Sequence, residues 1–453
     1  MTPDSSSSPT DRKQNPELWM RRHWHLDGNP FPPNGIAALA REDNRENGRL
    51  FRPEVHPEKI PEAVDKFVVG AVYSGLKFGY LWSISGPASN DYRGYGKSSM
   101  LQYLVEETNK DLGRTVLTSA GFSAEEADSD PICAVLASFD KGVNTSLAAV
   151  FHQATDYACK YRKPATKHEP ESDTLAERLH ARLVERLGTD DPTALADAVQ
   201  GVSDGIRGRT LGPPLDPFVQ LLCAGDATAL GRYVTQIKSG ARSRVGAANF
   251  LSTFLLFAKA AGISHVLLGC DQLEDFAATT TSKQKRALET ERFRDFVLEL
   301  MPMADMLTIV VTMHPRAQAA ISEMWRLADL PSMAWDLEEN EGHVVVLREI
   351  EGVEHAKALL RPYLDEARPA TAPQGALEPL TEESVEALLD RSDGKPRDIL
   401  RKAHALVQRA ARENWEQIGG EDARKILDSL ALPDDDEELA PATGRSRSLE
   451  EGW

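Results

Sequence analysis

The sequence predicts an α/β fold, a parallel sheet sandwiched by helices, with a helical insertion in its middle and a helical lid at its C-terminal end. Three observations carry that expectation. Short apolar runs recur along the chain, each followed by helical sequence, as expected for strands covered on both faces. One of these runs leads through glycines into a helix at Lys97, and another ends in a carboxylate at Asp271. Strands alternating with helices in this way imply parallel pairing with helical crossovers.

Taken in order, residues 1–14 are Ser/Pro-rich and polar, and a disordered tail is expected there. Residues 15–159 read as the first part of the α/β core. They hold a helix around 58–76, a strand over Gly79–Ser85, a glycine-rich turn, a helix from Lys97 to about 109 and a strand over Ile132–Phe139. Residues 160–249 are mostly helical, broken by RKPATKHEPES and RTLGPPLDP, and are expected to form the insertion. The core resumes over 250–375, with strands in Gly262–Cys270, Met306–Thr312 and Val344–Leu347. Residues 376–430 carry helical periodicity punctuated by Gly394 and Pro396, as a small lid would. Residues 431–453 open on the acidic run Asp434–Glu438 and read as a second disordered tail.

Composition bounds the function. A net charge of -18 excludes a generally DNA-coating surface, although nucleic acid responds to local potential rather than to the sum. Four scattered cysteines, Cys133, Cys159, Cys223 and Cys270, argue against a disulfide framework or a zinc site and fit a reducing cytoplasm. The N-terminal MTPDSSSSPTDRKQNP has no apolar core, so no signal peptide is expected. The most apolar stretch, Phe250–Cys270, is interrupted by Lys259 and His265 and reads as a buried helix followed by a strand, not a membrane span.

The strongest chemical signal is SISGPASNDYRGYGKSSML, residues 83–101. A strand, a glycine-rich turn and a helix in that order make a phosphate loop. Backbone N–H groups at the helix start cradle phosphate, the Lys97 ammonium reaches the β- and γ-phosphates, and the Ser98 hydroxyl ligates magnesium. Gly86, Gly94, Gly96 and Ser99 complete the candidate loop. Its spacing is expanded. ASNDYR stands where the compact GPxGxGKS form has one residue, and Asp91 occupies the position of the usual first glycine. The added length costs little, since doubling a loop costs only about 0.6 kcal/mol.

The run Val266–Asp271 ends in a carboxylate and continues as Gln272-Leu273-Glu274-Asp275. Such a strand places Asp271 at the carboxyl edge of the sheet, where α/β folds bind ligands and where it would hold the magnesium shell. Glu274 is the candidate to polarise an attacking water, with Asp275 the runner-up; the plain alternative for both is a solvated helix cap. Thr312, ending the next strand, is the candidate sensor of the γ-phosphate, while His314 reads as a packing or surface histidine. Arg397, at the start of a lid helix in DGKPRDIL, can swing a guanidinium to the γ-phosphate, or be an ordinary surface arginine.

GYGKSS, CDQLED, the strand VVT and the lid GKPRDIL together resemble P-loop NTPases of the AAA+ kind, in the clade of origin-recognition proteins, TnsC and ExeA-like ATPases, with STAND and bacterial conflict-system ATPases as near relatives. The resemblance covers roughly residues 28–135 and 250–430 and implies ATP and Mg2+ as cofactors. It also implies that Asn29, Pro30 and Phe31, in GNPFPPNGIA, lie close to the base. An arginine finger supplied by a neighbouring copy would make the protein a homo-oligomer. Arg292, Arg294, Arg316 and Arg326 are the candidates, with Arg316 favoured. Residues 431–453 are too few for the winged-helix domain that origin-recognition proteins append.

The function expected is therefore an ATPase acting as a switch or assembly factor on a protein partner, in DNA-associated machinery of the mobile-element or phage-defence type. A non-hydrolysing, STAND-like nucleotide scaffold is the alternative; a small-molecule kinase fits the lid arginine and the long region after Asp271 poorly. Two basic strips, KYRKPATK (160–167) and GRYVTQIKSGARSRV (231–245), read either as nucleic-acid contacts or as solvated helix faces paired with the acids of 171–197.

Overall fold

Five apolar runs pair into one sheet, all strands parallel: β1 (Phe78–Ser83), β2 (Ile132–Ser138), β3 (His265–Asp271), β4 (Leu307–Thr312) and β5 (Val344–Leu347), in the order β2-β3-β4-β1-β5. The computed structural model describes residues 15–35, 43–76, 78–83, 94–138, 147–163, 171–206, 214–237, 244–272, 301–312 and 343–430. Among them the architecture is α/β, with helices on both faces of the sheet.

Alternation along the strands sorts the core into two layers. Phe78, Tyr80 and Trp82 of β1, Cys133, Val135 and Ala137 of β2, and Val266, Leu268 and Cys270 of β3 face one cluster. Helices Leu147–Lys160, Leu175–Leu187, Pro192–Ile206, Asp216–Ala224, Ala227–Ile237 and Arg244–Ala260 cover it. The segment expected as an insertion thus contributes much of the layer over that face, with Leu179, Leu183 and Phe218 fully buried. The intervening residues, Leu81, Ala134, Leu136 and Leu267, face a second cluster. This one is shared with the Lys97–Lys110 helix, the N-terminal segment and the lid.

The elements differ from the sequence expectation at their edges. The strand expected over Gly262–Cys270 begins three residues later and includes Asp271. Gly262, at φ +83°, instead closes the preceding helix, its N–H on Lys259 O at 3.0 Å. The helix expected around 58–76 runs as Lys59–Ala63, a π-helical turn over Val64–Val69, then Gly70–Tyr73, ending ahead of Gly75 at φ +64°. The lid comprises Glu382–Arg391, Pro396–Arg412 and Gly420–Ser429, packed against Val353–Ala367. Thr381 caps its first helix by accepting from Ser384 N. Among the described residues, no helix is long and apolar enough to cross a membrane. The two tails lie outside the described residues.

Gly79, in the interior strand β1, leaves room for the Phe67 ring; a Cβ there would sit 2.6 Å from Phe67 Cδ1. Gly79→Ala is expected to destabilise the fold by about 1–3 kcal/mol, the usual cost of overpacking. Urea unfolding checks this: the midpoint should fall while the slope stays constant.

Candidate functional site

Parallel pairing brings the carboxyl ends of β1, β3 and β4 to one edge of the sheet. In that register β4 lies between β1 and β3, with Leu81 opposite Thr312 and Cys270 opposite Val311. The end residues Ser83, Asp271 and Thr312 therefore gather beneath the start of the Lys97–Lys110 helix. Lys97 Nζ donates to Ser83 Oγ at 3.0 Å, and both side chains are buried. Ser98 Oγ donates to Asp271 Oδ1 at 3.0 Å, and Thr312 Oγ1 donates to the same oxygen at 2.6 Å. Thr312 Oγ1 in turn accepts the Gln272 N–H at 2.8 Å. That bond holds the chain where it leaves β3, with Gln272 at φ +59°.

Asp271 is 3% exposed. Burial pushes its carboxyl above the usual range, while bonds from Thr312 and Ser98, the Lys97 charge and the Gln272 backbone pull the other way. A hydroxyl, a carboxylate and an ammonium at the N-terminus of a 14-residue helix can bind an anion together with its cation.

The last turn of the candidate phosphate loop is Gly94-Tyr95-Gly96. Gly94 (φ +86°) and Gly96 (φ +87°) sit in the left-handed region, and Gly96 is the N-cap of the helix. At Gly94 a Cβ would lie 2.7 Å from Arg397 Cβ, because the lid helix starts directly against it: Arg397 N donates to Gly94 O at 3.0 Å. Arg397 Nε donates to Asn34 O at 3.3 Å. Tyr95 is fully buried, and its hydroxyl donates to Glu349 Oε1 at 3.2 Å. His56 is 4% exposed, and its Nε2 has no hydrogen-bond partner. Burial first of all holds the imidazole pKa down at about 4.

Asn29, Pro30 and Phe31 lie along the lid. Asn29 Nδ2 donates to His404 O at 2.9 Å, Asn29 Oδ1 accepts from Phe31 N at 3.1 Å, and His404 Nδ1 donates to Phe31 O at 2.6 Å. Pro30 is buried, and Phe31 is 1% exposed with its ring 6.2 Å from that of Tyr363. Further back, Trp19 Nε1 donates to Trp415 O at 3.0 Å and Trp24 Nε1 to Glu416 O at 2.9 Å. The N-terminal segment is thus a strap running from the far end of the Pro396–Arg412 helix to Asn34 and Gly35 at its start.

The structure therefore brings Lys97, Ser98, Asp271 and Thr312 together, and joins Gly94 to Arg397. Ser99 follows on the same helix, half-buried. Gly86, Glu274, Asp275, His314 and the four arginine-finger candidates lie outside the described residues. Sequence reasoning missed Ser83, Asn34 and Glu349. Only Ser83 left a local signal, a hydroxyl at the end of the strand feeding the loop. Among the described residues, no group of three or more His, Cys, Asp or Glu side chains could hold a metal. No protein-family model matches the chain, and no curated protein matches it.

Thr312→Val removes one bond to Asp271 and the acceptor for the Gln272 amide. It is expected to cost about 1–3 kcal/mol, read from the denaturant midpoint. His56 gives a pH prediction. Its native pKa of about 4 lies below the ordinary imidazole value of 6.5, so between those values the unfolded chain binds more protons. Its contribution is full above pH 6.5 and is lost as pH falls toward 4, a span worth about 3 kcal/mol. His56→Phe should flatten the fall in melting temperature between pH 6.5 and 4.

Proposed function

We propose that the chain is a P-loop ATPase of the AAA+ kind that binds Mg·ATP and works as a nucleotide-dependent switch or assembly factor. The observation that carries this reading is the meeting of Ser98, Asp271 and Thr312 on one carboxylate oxygen, beside Lys97. The donor set fits the cation. Magnesium takes oxygen ligands, commonly one or two from the protein with substrate phosphates and water completing the shell, so a three-acid cage is not required. Ser98 and Asp271 would hold it, and it would neutralise phosphate charge when bound. Lys97 would give up its place on Ser83 to reach phosphate oxygens, and Thr312 orients Asp271. Glu274 is proposed to polarise water.

The lid supports the switch. Arg397 is tied to Gly94 of the loop and, through the strap, to Asn34, so a shift of the loop is felt by the Pro396–Arg412 helix. Output would pass to a protein partner, with a further copy of the chain as one candidate and nucleic acid as the other macromolecule to test.

Mg·ATP at about 100 times its dissociation constant should stabilise the protein by roughly 2.7 kcal/mol, seen as a rise in melting temperature. Lys97→Ala should abolish that rise, and Glu274→Gln should keep it while turnover drops on the order of 100-fold or more. A wild-type shift of zero removes the whole reading. Unchanged turnover in Glu274→Gln, alongside lost binding in Lys97→Ala, assigns the water-polarising role elsewhere. Absence of turnover in a wild type that binds favours the scaffold.

A further inference from the structure

An arginine that reads a terminal phosphate gains from being aimed before the ligand arrives, because the cost of ordering a long side chain on binding is lost from affinity. Arg397 lies in the first turn of the Pro396–Arg412 helix, where backbone N–H groups have no partner within the helix. Its N–H goes instead to Gly94 O of the loop turn at 3.0 Å, and its side chain donates from Nε to Asn34 O at 3.3 Å. One residue of the lid is thus held by the loop and by the strap together.

A glycine in each segment makes that double approach possible. At Gly94 a Cβ would lie 2.7 Å from Arg397 Cβ and 3.6 Å from its Cγ. At Gly35 a Cβ would lie 2.5 Å from Arg397 O and 3.0 Å from the same Cγ. Both glycines have left-handed backbones, at φ +61° for Gly35 and +86° for Gly94. The stem of Arg397 therefore lies in a slot lined by two residues without side chains. At Gly35 the nearest atom is a main-chain oxygen, which no change of rotamer can move aside. Arg401, one turn further along the same helix face, would have its Cγ 3.2 Å from the Gly35 Cβ. The strap is set in register on that face by Asn29 Nδ2 on His404 O at 2.9 Å and His404 Nδ1 on Phe31 O at 2.6 Å.

We infer that Gly35 is a positioning residue for the proposed nucleotide site: it admits the strap to the Arg397 stem, and the slot it forms with Gly94 holds the guanidinium beside the loop to read the terminal phosphate of ATP. This rests on the proposed Mg·ATP binding. Discrimination between a nucleoside triphosphate and a diphosphate then depends on the N-terminal strap, a segment that carries no phosphate-binding motif.

Isothermal titration of Mg·ATP and Mg·ADP into wild type, Arg397→Ala, Gly35→Ala, Gly35→Asn and the double variant Gly35→Ala/Arg397→Ala tests the assignment. Alanine adds both a Cβ and a strained φ, whereas asparagine adds the Cβ but tolerates the left-handed backbone. Losing an arginine–phosphate bond corresponds to a roughly 10- to 100-fold rise in dissociation constant. That rise is expected for ATP in Arg397→Ala. Both Gly35 variants should show part of it, about 3-fold or more, with ADP affinity unchanged. The double variant should bind ATP no more weakly than Arg397→Ala, because the slot then has no stem to hold. Nucleotide-free melting reports folding separately. A Gly35 variant that folds and binds ATP as wild type does overturns the inference, as does an equal loss of ATP and ADP or a further loss in the double variant. An Arg397→Ala protein with the wild-type ratio of ATP to ADP affinity also overturns it. If neither Gly35 variant folds, Asn29→Ala takes their place, since it releases the strap from His404 while leaving Gly35 and Arg397 intact. An ATP-selective loss there supports the inference, and an unchanged ratio overturns it. All of these results leave the proposed function standing; absence of Mg·ATP binding in wild type overturns that function itself.

Discussion

A carboxylate shut away from water at the end of a central strand is unfavourable unless neighbouring groups satisfy it, and Asp271 is satisfied from three directions. Thr312 reaches it from the next strand, Ser98 from the helix across the edge, and the Lys97 charge lies nearby. These partners come from β4 and from the Lys97–Lys110 helix, so the arrangement exists only when β3, β4 and that helix are all in place. The sheet in turn depends on the two apolar layers that cover it. The order of causes runs from alternating apolar strands, through parallel pairing, to a polar cluster that no single segment could assemble.

Around that cluster, the fold links the loop turn to the chain's own N-terminal segment and to the lid. Arg397 touches Gly94 through its backbone and Asn34 through its side chain, and the strap continues along the whole lid helix to Trp415. Strap and lid are joined by several hydrogen bonds and by buried aromatic packing, whereas the lid meets the loop at one helix start. Through that one contact a displacement of the loop turn bears directly on the start of the lid helix.

Much of the scaffold was legible in the sequence because it rests on local pattern. Five apolar runs gave five strands, and the strand-turn-helix order around Lys97 and the acid ending Val266–Asp271 are properties of contiguous residues. What could not be read depends on partners far apart in the chain. Nothing in the sequence joins Tyr95 to Glu349, or Asn29 to His404. The Asn29 amide is engaged with the His404 carbonyl and Phe31 is buried at Tyr363, contacts that no local pattern encodes. Strand edges were misread where a glycine ended a helix, as at Gly262, since an apolar run does not mark where the backbone turns.

The register of β1 has a consequence for biosynthesis. Its neighbours are β4, through pairs such as Tyr80 with Val311, and β5, through pairs such as Trp82 with Val346. Among the described strands, the first to leave the ribosome thus waits for the last two, with both hydrogen-bonding edges open. Meanwhile β2 and β3 and all the helices between them can already assemble. During that interval the apolar run FGYLWS has two unpaired edges, the condition in which strands find wrong partners.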